Sequence, residues 1–473
     1  MQPPSTGPQA LHPNPADDPA EFLQQNPDIR SIELLVPDLN GLLRGKRIGR
    51  GGLVRLFEKG MMLPGSVFAL DCTGANVDKT GLVWEDGDAD RICRPVPGSL
   101  RVVPWSEGHV AQMLLRMEEY DGTPFPIDPQ NVLAGLLERF AEIGLRPCVA
   151  VEFEFYLIDS ERSETGGPIP PRSPLSQRRL DGVQVYSMSE MAAFDEFVEK
   201  VTDACAAQGI PTDTVISEYG PGQMEINLAH GPDALAAATN GVLLKRAVVG
   251  TARACGLDAT FMAKPYAAEA GNGLHVHMSL LDGQDRNVFA PDHLGHEIGG
   301  KRRSPDALHK SVIAGLADTM AESMAVFAPN VNSFRRLRPG SYAPLTPSWA
   351  YNNRTAALRV PAGPDSARRV EHRVAGADAN PYLAVAAVLA GAYHGIAGGL
   401  KPAEPIDGNA YEQTPTLPVR WQDALDAFDA APVLREYLGE RFCKVYSAVR
   451  RAERQRFENV VSPTEHHWYL RNI

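Results

Sequence analysis

The sequence predicts an α+β protein with a small, mostly β N-terminal domain and a larger domain of strands and helices. Its length of 473 residues is more than one small hydrophobic core can organise. Short apolar segments separated by turn residues occupy the chain up to about residue 125, and helical patterns alternate with strands after it. We therefore expect one domain over residues 25–125 and a second over residues 126–473. A disordered, proline-rich tail is expected over residues 1–24.

The N-terminal domain is predicted to begin with a β-hairpin. Ile29–Val36 and Leu42–Ile48 have the composition of strands, and Pro37–Gly41 supplies the turn residues between them. Further short strands are expected at Val67–Leu70, Gly81–Trp84, Leu100–Val103 and Val110–Met117.

The second domain is predicted to begin with a helix. Asp128 can cap its first turn, Pro129 suits its first position, and Gly144 ends it. Strands are expected at Val149–Leu157, Gln223–Leu228, Leu274–Leu280, Leu358–Val360 and Arg369–Val374. Further helices are expected at Ser189–Gln208, Pro232–Cys255, Ala307–Phe327, Ala379–Ala397, Gln422–Ala430 and Phe442–Glu458.

Composition argues against several classes of protein. The net charge of −12 argues against a nucleic-acid partner. No apolar run approaches the roughly 18 residues needed to cross a membrane. The six cysteines lie far apart and form no C-x-x-C pair, so we expect a reduced, cytoplasmic protein without structural zinc.

Four of the predicted strands carry chargeable side chains on one face. Val149–Leu157 alternates apolar residues with Glu152 and Glu154, and a lone pair of this kind is usually a solvated surface feature. Three later strands repeat the pattern, which a surface sheet would normally fill with Lys, Thr and Ser. Their polar rows are Gln223, Glu225 and Asn227; His275, His277 and Ser279; and Arg369, Glu371 and Arg373.

A concave sheet with these rows on its inner face would form a metal site. Carboxylate oxygens would dominate it, which suits two hard cations, Mg²⁺ or Mn²⁺, together with phosphate oxygens. Residues 330–375 add eight arginines and only two acids, an excess that suits a phosphate or carboxylate ligand. An exposed basic surface or ion pairs between subunits would also explain that excess. The collected metal candidates are Glu152, Glu154, Glu218, Glu225, His275 and Glu371.

Six motifs occur in an order and spacing that resemble a known family. They are Glu152-x-Glu154; Glu218 with Gly222-Gln223-Met224-Glu225; Gly273-x-His275-x-His277-Met278-Ser279; Asn332-Ser333-Phe334-Arg335-Arg336-Leu337-x-Pro339-Gly340; Asn353-Arg354-Thr355; and Arg369-x-Glu371-x-Arg373. From about Ile29 onward the chain resembles class I glutamine synthetases. The resemblance implies a β-grasp N-terminal domain and a catalytic domain whose curved antiparallel sheet is lined by metal ligands. It also implies a homo-oligomer of two stacked hexameric rings, with each active site completed by a neighbouring N-terminal domain.

The resemblance further implies roles for the matching residues, with ATP as co-substrate and at least two Mg²⁺ or Mn²⁺ ions per site. One metal would be held by Glu154, Glu218 and Glu225, and the other by Glu152, His275 and Glu371. ATP would contact Asp213, His277, Ser279, Arg354, Arg359 and Arg369. Glutamate would contact Glu154, Gly271, His275, Arg336 and Arg373, and the catalytic residues would be Glu218, Arg354 and Arg373.

The departures from the family pattern concern the amine. In the family, ATP phosphorylates the γ-carboxylate of L-glutamate, and an amine then displaces the phosphate. Members that use ammonia carry an Asp and a Glu where this chain has Pro64 and Tyr342. Because both acids are missing while the metal ligands remain, we expect a polyamine or diamine acceptor, as in the γ-glutamylpolyamine and γ-glutamylputrescine synthetase branch. Pro64, Ser66 and Tyr342 are the candidates for the amine pocket.

Other acceptors and other classes of protein stay open. A monoamine, or an amino alcohol such as ethanolamine, is the alternative acceptor, and ammonia comes after it. A phosphotransferase or hydrolase could use the same metal scaffold without an amine. A non-catalytic, ring-forming scaffold would need no metal ligands, and this chain retains all six.

Overall fold

The N-terminal part of the chain forms a six-stranded sheet in the computed structural model, which describes residues 18–473. Strands β1 (Ser31–Pro37) and β2 (Leu43–Gly49) pair in antiparallel register and confirm the predicted hairpin. Asp38 closes the turn, because its carboxylate accepts hydrogen bonds from the backbone N–H groups of Asn40 and Leu42 at 2.8 and 2.9 Å. The order is β2-β1-β6-β4-β3, with β3 Met61–Pro64, β4 Asp90–Pro95, β6 Val110–Glu118, and β5 Arg101–Val102 paired with β6.

Three details of this region differ from the sequence prediction. Gly65–Ala69 is a buried 3-10 helix, and residues 81–84 lie in turns, because a short apolar run has no periodicity that separates these structures from a strand. Helix α1 (Pro19–Gln25) falls within the predicted tail: Asp18 caps it, and Phe22 is buried. Residues 1–17 of that tail lie outside the described residues.

The second part of the chain is built on an eight-stranded sheet in the order β14-β15-β16-β11-β7-β9-β8, with β10 paired with β7. All pairs are antiparallel except β14 and β15, which are parallel, so the expectation of a wholly antiparallel sheet is corrected there. A short ribbon of β12 (His296–Ile298) and β13 (Lys301–Arg303) lies apart from this sheet. The sheet strands are β7 Arg146–Asp159, β8 Thr212–Ser217, β9 Gln223–Leu228, β10 Leu257–Thr260, β11 Leu274–Leu281, β14 Trp349–Tyr351, β15 Leu358–Val360 and β16 Val370–His372.

Helices cover the sheet and follow it along the chain. Two helices predicted as single are each broken, at Phe194 and at Thr319. The helices after α1 are α2 Leu53–Lys59, α3 Pro129–Glu142, α4 Met188–Ala193, α5 Asp195–Ala207, α6 Ala234–Ala254, α7 Pro305–Asp318, α8 Met320–Phe327, α9 Val331–Phe334, α10 Pro381–Gly398, α11 Trp421–Ala430, α12 Pro432–Leu438, α13 Glu440–Glu458 and α14 Pro463–Tyr469.

Helix α10 is the central helix of the larger domain. Asn380 caps it by accepting the Tyr382 N–H at 2.9 Å, and Gly399 ends it in the left-handed conformation. Among residues 18–473 it is the one helix with the length and hydropathy to cross a membrane, yet 78% of it is buried inside the protein. Its apolar surface is thus used for packing within the domain, mainly against α7 and α3.

Candidate active site

The four strands with polar rows are direct neighbours in the large sheet. Strand β11 pairs with β7 so that His275 lies opposite Glu152, and β7 pairs with β9 so that Glu154 lies opposite Glu225. On the other side of β11, His277 lies opposite Glu371. Residues that pair across antiparallel strands share a face, so these rows form one continuous polar surface.

Glu152 lies at the centre of this surface. Its carboxylate oxygens are 3.2 Å from His275 Nδ1 and 2.8 Å from His277 Nε2. Burial alone would raise the pKa of Glu152, but the two imidazoles outweigh it and hold that pKa well below its usual range. Glu152 therefore stays ionised and available as an oxygen ligand.

Glu371 is kept ionised by two arginines together with the same two imidazoles. Its carboxylate accepts a hydrogen bond from Arg359 Nη1 at 2.7 Å and another from Arg373. Burial works against ionisation, but Arg373, His277 and His275 hold the pKa of Glu371 at about 2. This carboxylate is thus a buried, fixed negative charge within the polar surface.

Three further carboxylates crowd together on the opposite side of Glu152. Burial, then repulsion from Glu152, Glu154 and Glu218, raises the pKa of Glu225 well above its usual value. Burial and the charge of Glu154 raise the pKa of Glu218 to about 7. Acids packed this closely oppose one another's ionisation unless a cation lies among them.

The donor set fits divalent metal ions. Ligand atoms of Glu152, Glu225 and His275 lie within 4.8 Å of one another, and so do those of Glu152, His277 and Glu371. The chemistry of both groups, oxygen-rich with one imidazole, suits Mg²⁺ or Mn²⁺. This grouping differs from the expected division of ligands, since Glu152 belongs to both groups and His277 joins the second. Glu154 and Glu218 lie beside the first group and outside both.

The crowded acids predict that the metal-free protein loses stability as the pH rises. The pKa of Glu218 is about 7 in the folded chain and 4.5 ordinarily, so the folded state binds its proton more tightly between those values. Stability from this group is present below pH 4.5 and decreases up to pH 7, by roughly 2–3 kcal/mol. Thermal unfolding with chelator at several pH values measures this, and Mg²⁺ should flatten the profile. An unchanged profile in a Glu218→Gln variant would contradict it.

A cavity of about 210 Å³, which we call cavity A, opens from the acidic side of this surface. Three predicted arginines reach it: Arg336 and Arg373, which are buried, and Arg354, which is exposed. Gly271 forms part of its wall, and only glycine fits there, because a Cβ would lie 2.7 Å from both the Ala263 carbonyl oxygen and Arg336 Cγ. Its lining residues are Glu154, Val185, Tyr186, Glu218, Tyr219, Gln223, Glu225, Ala270, Gly271, His275, Arg336, Ser341, Tyr342, Arg354 and Arg373.

A second cavity of about 790 Å³, cavity B, lies on the histidine side. Ser279 and Arg369 line it, and Arg369 Nε donates a hydrogen bond to His277 Nδ1 at 3.2 Å. His230 also lines it, with its ring 5.7 Å from that of His277. Two of the residues predicted to contact ATP, Ser279 and Arg369, therefore line one cavity, and the hydrogen bond from Arg369 connects His277 to it.

The single chain does not bring every predicted residue to this surface. Asp213 is exposed at a bulge in strand β8, near enough to His230 for its charge to act on that ring. Pro64 and Ser66 lie in the N-terminal domain, and no residue of the described range 18–125 lines cavity A. Tyr342 lines it, so the three candidates for the amine pocket are separated within one chain.

Sequence reasoning missed several residues that line the cavities. Gln223 is buried and donates hydrogen bonds to the Gly271 carbonyl oxygen at 3.0 Å and to Asn272 Oδ1 at 2.9 Å, which positions the glycine loop. Tyr219 lies within the motif that begins at Glu218, but the motif assigns it no role; Tyr186 belongs to no motif and follows a polar loop without periodicity. His230 has no partner motif either. For Gln223, its place in a polar row was the available signal.

Comparison with known proteins identifies the family. Residues 126–469 match the family described as glutamine synthetase, catalytic domain. The chain belongs to the glutamine synthetase family, whose members are ATP-dependent ligases that form carbon–nitrogen bonds and use divalent metal ions. The fold class, the family and the class of enzyme predicted from the motifs are thereby confirmed.

Particular relatives are ligases that act on different amines. The chain is 44% identical over 452 residues to gamma-glutamylputrescine synthetase of Escherichia coli (strain K12), covering 95% of this chain and 94% of the relative. It is 33% identical to glutamate–isopropylamine ligase of a Pseudomonas species, covering 88% of each. It is 31% identical to gamma-glutamylethanolamide synthetase of Streptomyces coelicolor, covering 93% and 92%. Among solved structures, a GmaS/ADP complex matches with a TM-score of 0.80 at 27% identity, covering 96% of this chain and 99% of that one.

Proposed function

We propose that this enzyme joins the γ-carboxylate of L-glutamate to a diamine or polyamine, at the expense of ATP, through a γ-glutamyl phosphate. The observation that carries the proposal is the lining of cavity A, which combines buried arginines for glutamate, carboxylates for metal, and tyrosines at its mouth. The relative at 44% identity is a gamma-glutamylputrescine synthetase, which supports the same acceptor. The loss of the two ammonium-binding acids, with Pro64 and Tyr342 in their places, is the supporting sequence observation.

The chain's own residues then have distinct tasks. Arg336 and Arg373 bind the carboxylates of glutamate, and the Gly271 wall admits its backbone atoms. Ser279, His277 and Arg369 bind ATP phosphates from cavity B, with Asp213 at the nucleotide. Arg354 and Arg359 stabilise the charge of the transferred phosphoryl group. Glu218 orients the incoming amine beside the γ-carbonyl.

The metal ions would be held by Glu152, Glu154, Glu218, Glu225, His275 and Glu371, with His277 near the second. When bound, they supply positive charge to the phosphate oxygens as these oxygens become more negative in the transition state. Two such ions would also remove the mutual repulsion that raises the pKa of Glu218 and Glu225.

A panel of amines tests the acceptor. Initial rates with saturating ATP and glutamate should give the highest kcat/KM for putrescine or spermidine, and lower values for isopropylamine, ethanolamine and ammonia. The expected preference over ammonia is at least about tenfold in kcat/KM, because ammonia lacks the carbon chain, and each methylene that a pocket binds contributes about that much discrimination. The highest kcat/KM with ammonia would overturn the proposal.

A monoamine or ethanolamine is the second candidate acceptor. It is favoured by the relatives at 33% and 31% identity, of which one is named for the amine isopropylamine and the other for the product gamma-glutamylethanolamide. The same panel decides between them, since a monoamine enzyme would gain nothing from a second amino group.

We also propose a cytoplasmic homo-oligomer of two hexameric rings. Pro64 and Ser66 lie apart from cavity A in one chain, so a neighbouring N-terminal domain would have to supply them. The C-terminal residues Trp468, Leu470 and Ile473 are exposed and apolar, as expected for a segment that contacts another subunit. All six cysteines are free, which suits a reducing compartment. Mass measurement of the native assembly tests the ring size.

A further inference from the structure

Three tyrosines surround the mouth of cavity A, and we call Tyr186, Tyr219 and Tyr342 the tyrosine rim. Their exposed fractions are 65%, 44% and 50%. Exposed aromatic side chains that cluster in one place often mark a binding site, because burying their apolar surface against a ligand or partner is favourable. Within one chain, these three rings are therefore accessible to a ligand or to a neighbouring subunit.

The rim is held in place by backbone bonds on both sides. Tyr186 N–H donates to the Ser217 carbonyl at 2.8 Å, and Gln184 N–H donates to the Tyr219 carbonyl at 3.2 Å. These bonds tie the loop before α4 to the segment that carries Glu218 and Tyr219. On the other side, Ser341 Oγ donates to the Arg336 carbonyl at 2.9 Å and fixes the segment before Tyr342.

Two of the three tyrosines have unfavourable backbone conformations. Tyr186 has a φ of +57° and Tyr342 a φ of +54°, in the left-handed region that bulky residues rarely occupy. Such conformations persist where surrounding contacts impose them, and they concentrate at ligand sites. Both strained residues lie at the same cavity mouth, which points to selection for the position of their rings.

The geometry of the rim suits a cation. The ring centroids of Tyr219 and Tyr342 are 6.4 Å apart with an interplanar angle of 33°. A cation placed between them would lie within the roughly 6 Å of each centroid over which a ring face attracts it. Within residues 18–473, the observed cation–π contacts use other rings, so no lysine or arginine of the same chain lies over these faces.

The charged residues that line cavity A leave the rim as the favourable place for a second ammonium group. The acids Glu154, Glu218 and Glu225 belong with the metal ligands, and Arg336, Arg354 and Arg373 repel a cation. The remaining lining residues are the rim itself, Val185, Gln223, Ala270, Gly271, His275 and Ser341. Of these, the exposed aromatic faces of the rim attract an ammonium ion without a carboxylate.

We propose that the tyrosine rim binds the distal ammonium group of a diamine acceptor while its other amino group reaches the γ-carbonyl of glutamate. This inference rests on the proposed function and adds the residues that select a second positive charge. It assigns the preference for a diamine to the ring faces of Tyr186, Tyr219 and Tyr342. Tyr342 is the residue that stands where family members that use ammonia carry a Glu.

The test compares two acceptors of equal size that differ in charge at the far end. Putrescine ends in an ammonium group, and n-pentylamine has a methyl group in its place. The ratio of their kcat/KM values is measured for the native enzyme and for Tyr186→Leu, Tyr219→Leu and Tyr342→Leu. The ratio should fall by about 3- to 30-fold in the leucine variants, since leucine keeps bulk and loses the ring face.

Matched variants separate ring chemistry from general damage. Tyr219→Phe retains the ring and should retain the ratio. Tyr120→Leu removes an exposed tyrosine that does not line cavity A, and it should also leave the ratio unchanged. If the leucine variants lose activity toward both acceptors by the same factor, the ratio is unchanged. That result would overturn the proposed role of the rim and leave the proposed function intact. A native enzyme that does not prefer putrescine over n-pentylamine and ammonia would overturn the proposed function as well.

Discussion

Replacing Glu152 with glutamine is expected to lower kcat by about three orders of magnitude, the largest effect on activity of any single change that we predict. Glu152 is the one residue that belongs to both groups of metal-ligand atoms. Glutamine has the same shape but no negative charge, so both metals would lose a ligand. The oxygens now beside His275 and His277 would become a neutral amide. Rate measurements across a range of Mn²⁺ concentrations test this.

The control for this change is Glu161→Gln, which removes an exposed carboxylate in the loop after the same strand. It should leave kcat and the Mn²⁺ dependence within about twofold, because exposed surface substitutions have small effects. Circular dichroism should show that both variants are folded. Near-native kcat in the folded Glu152→Gln variant would remove Glu152 from the metal site.

Replacing Gly395 with alanine is expected to lower the free energy of unfolding by about 3 kcal/mol or more. Helices α7 and α10 cross with their backbones in contact at Gly315, Gly391 and Gly395. A Cβ at Gly395 would overlap the Ser311 carbonyl oxygen and lie 2.8 Å from the Gly315 nitrogen. These are backbone atoms of a packed helix, so the helices would have to move apart. Urea unfolding at one fixed protomer concentration measures the loss.

Gly135→Ala is the matched control, since it is also a glycine within a helix. Gly135 is exposed in α3, and a Cβ there would meet nothing within 4 Å. Alanine should therefore stabilise the protein by roughly 0.5–1 kcal/mol through its higher helix propensity. A Gly395→Ala variant as stable as Gly135→Ala would show that the two helices can separate at little cost.

Much of the active-site surface could be predicted because strand periodicity determines which side chains share a face. The alternation in Val149–Leu157 is enough to place Glu152 and Glu154 on one face of their strand, and the alternation in Leu274–Leu280 does the same for His275 and His277. Strand Gln223–Leu228 has the predicted bounds, and Leu358–Val360 does as well. Motif order then indicated the family, which the comparisons confirm.

Residues without periodicity or a motif could not be placed in this way. Tyr186 follows an irregular loop, and it reaches cavity A through backbone bonds to a segment about thirty residues further along the chain. Nothing about a tyrosine in the sequence indicates that its backbone will adopt a left-handed φ. The close helix contact at Gly395 could not be predicted either, because the sequence of its helix does not show which other helix will pack against it.

The sequence by itself determined which side chains share a face on each strand. Its motifs also indicated the family and the ATP-dependent ligase reaction. Only the tertiary structure decided which strands are neighbours, that Glu152 belongs to both groups of ligand atoms, and that three tyrosines surround one cavity. The physical reason is range: strand alternation follows from the local backbone, whereas strand order and helix contact depend on long-range packing of the whole chain. The two acids of Val149–Leu157 acquire their role from that packing.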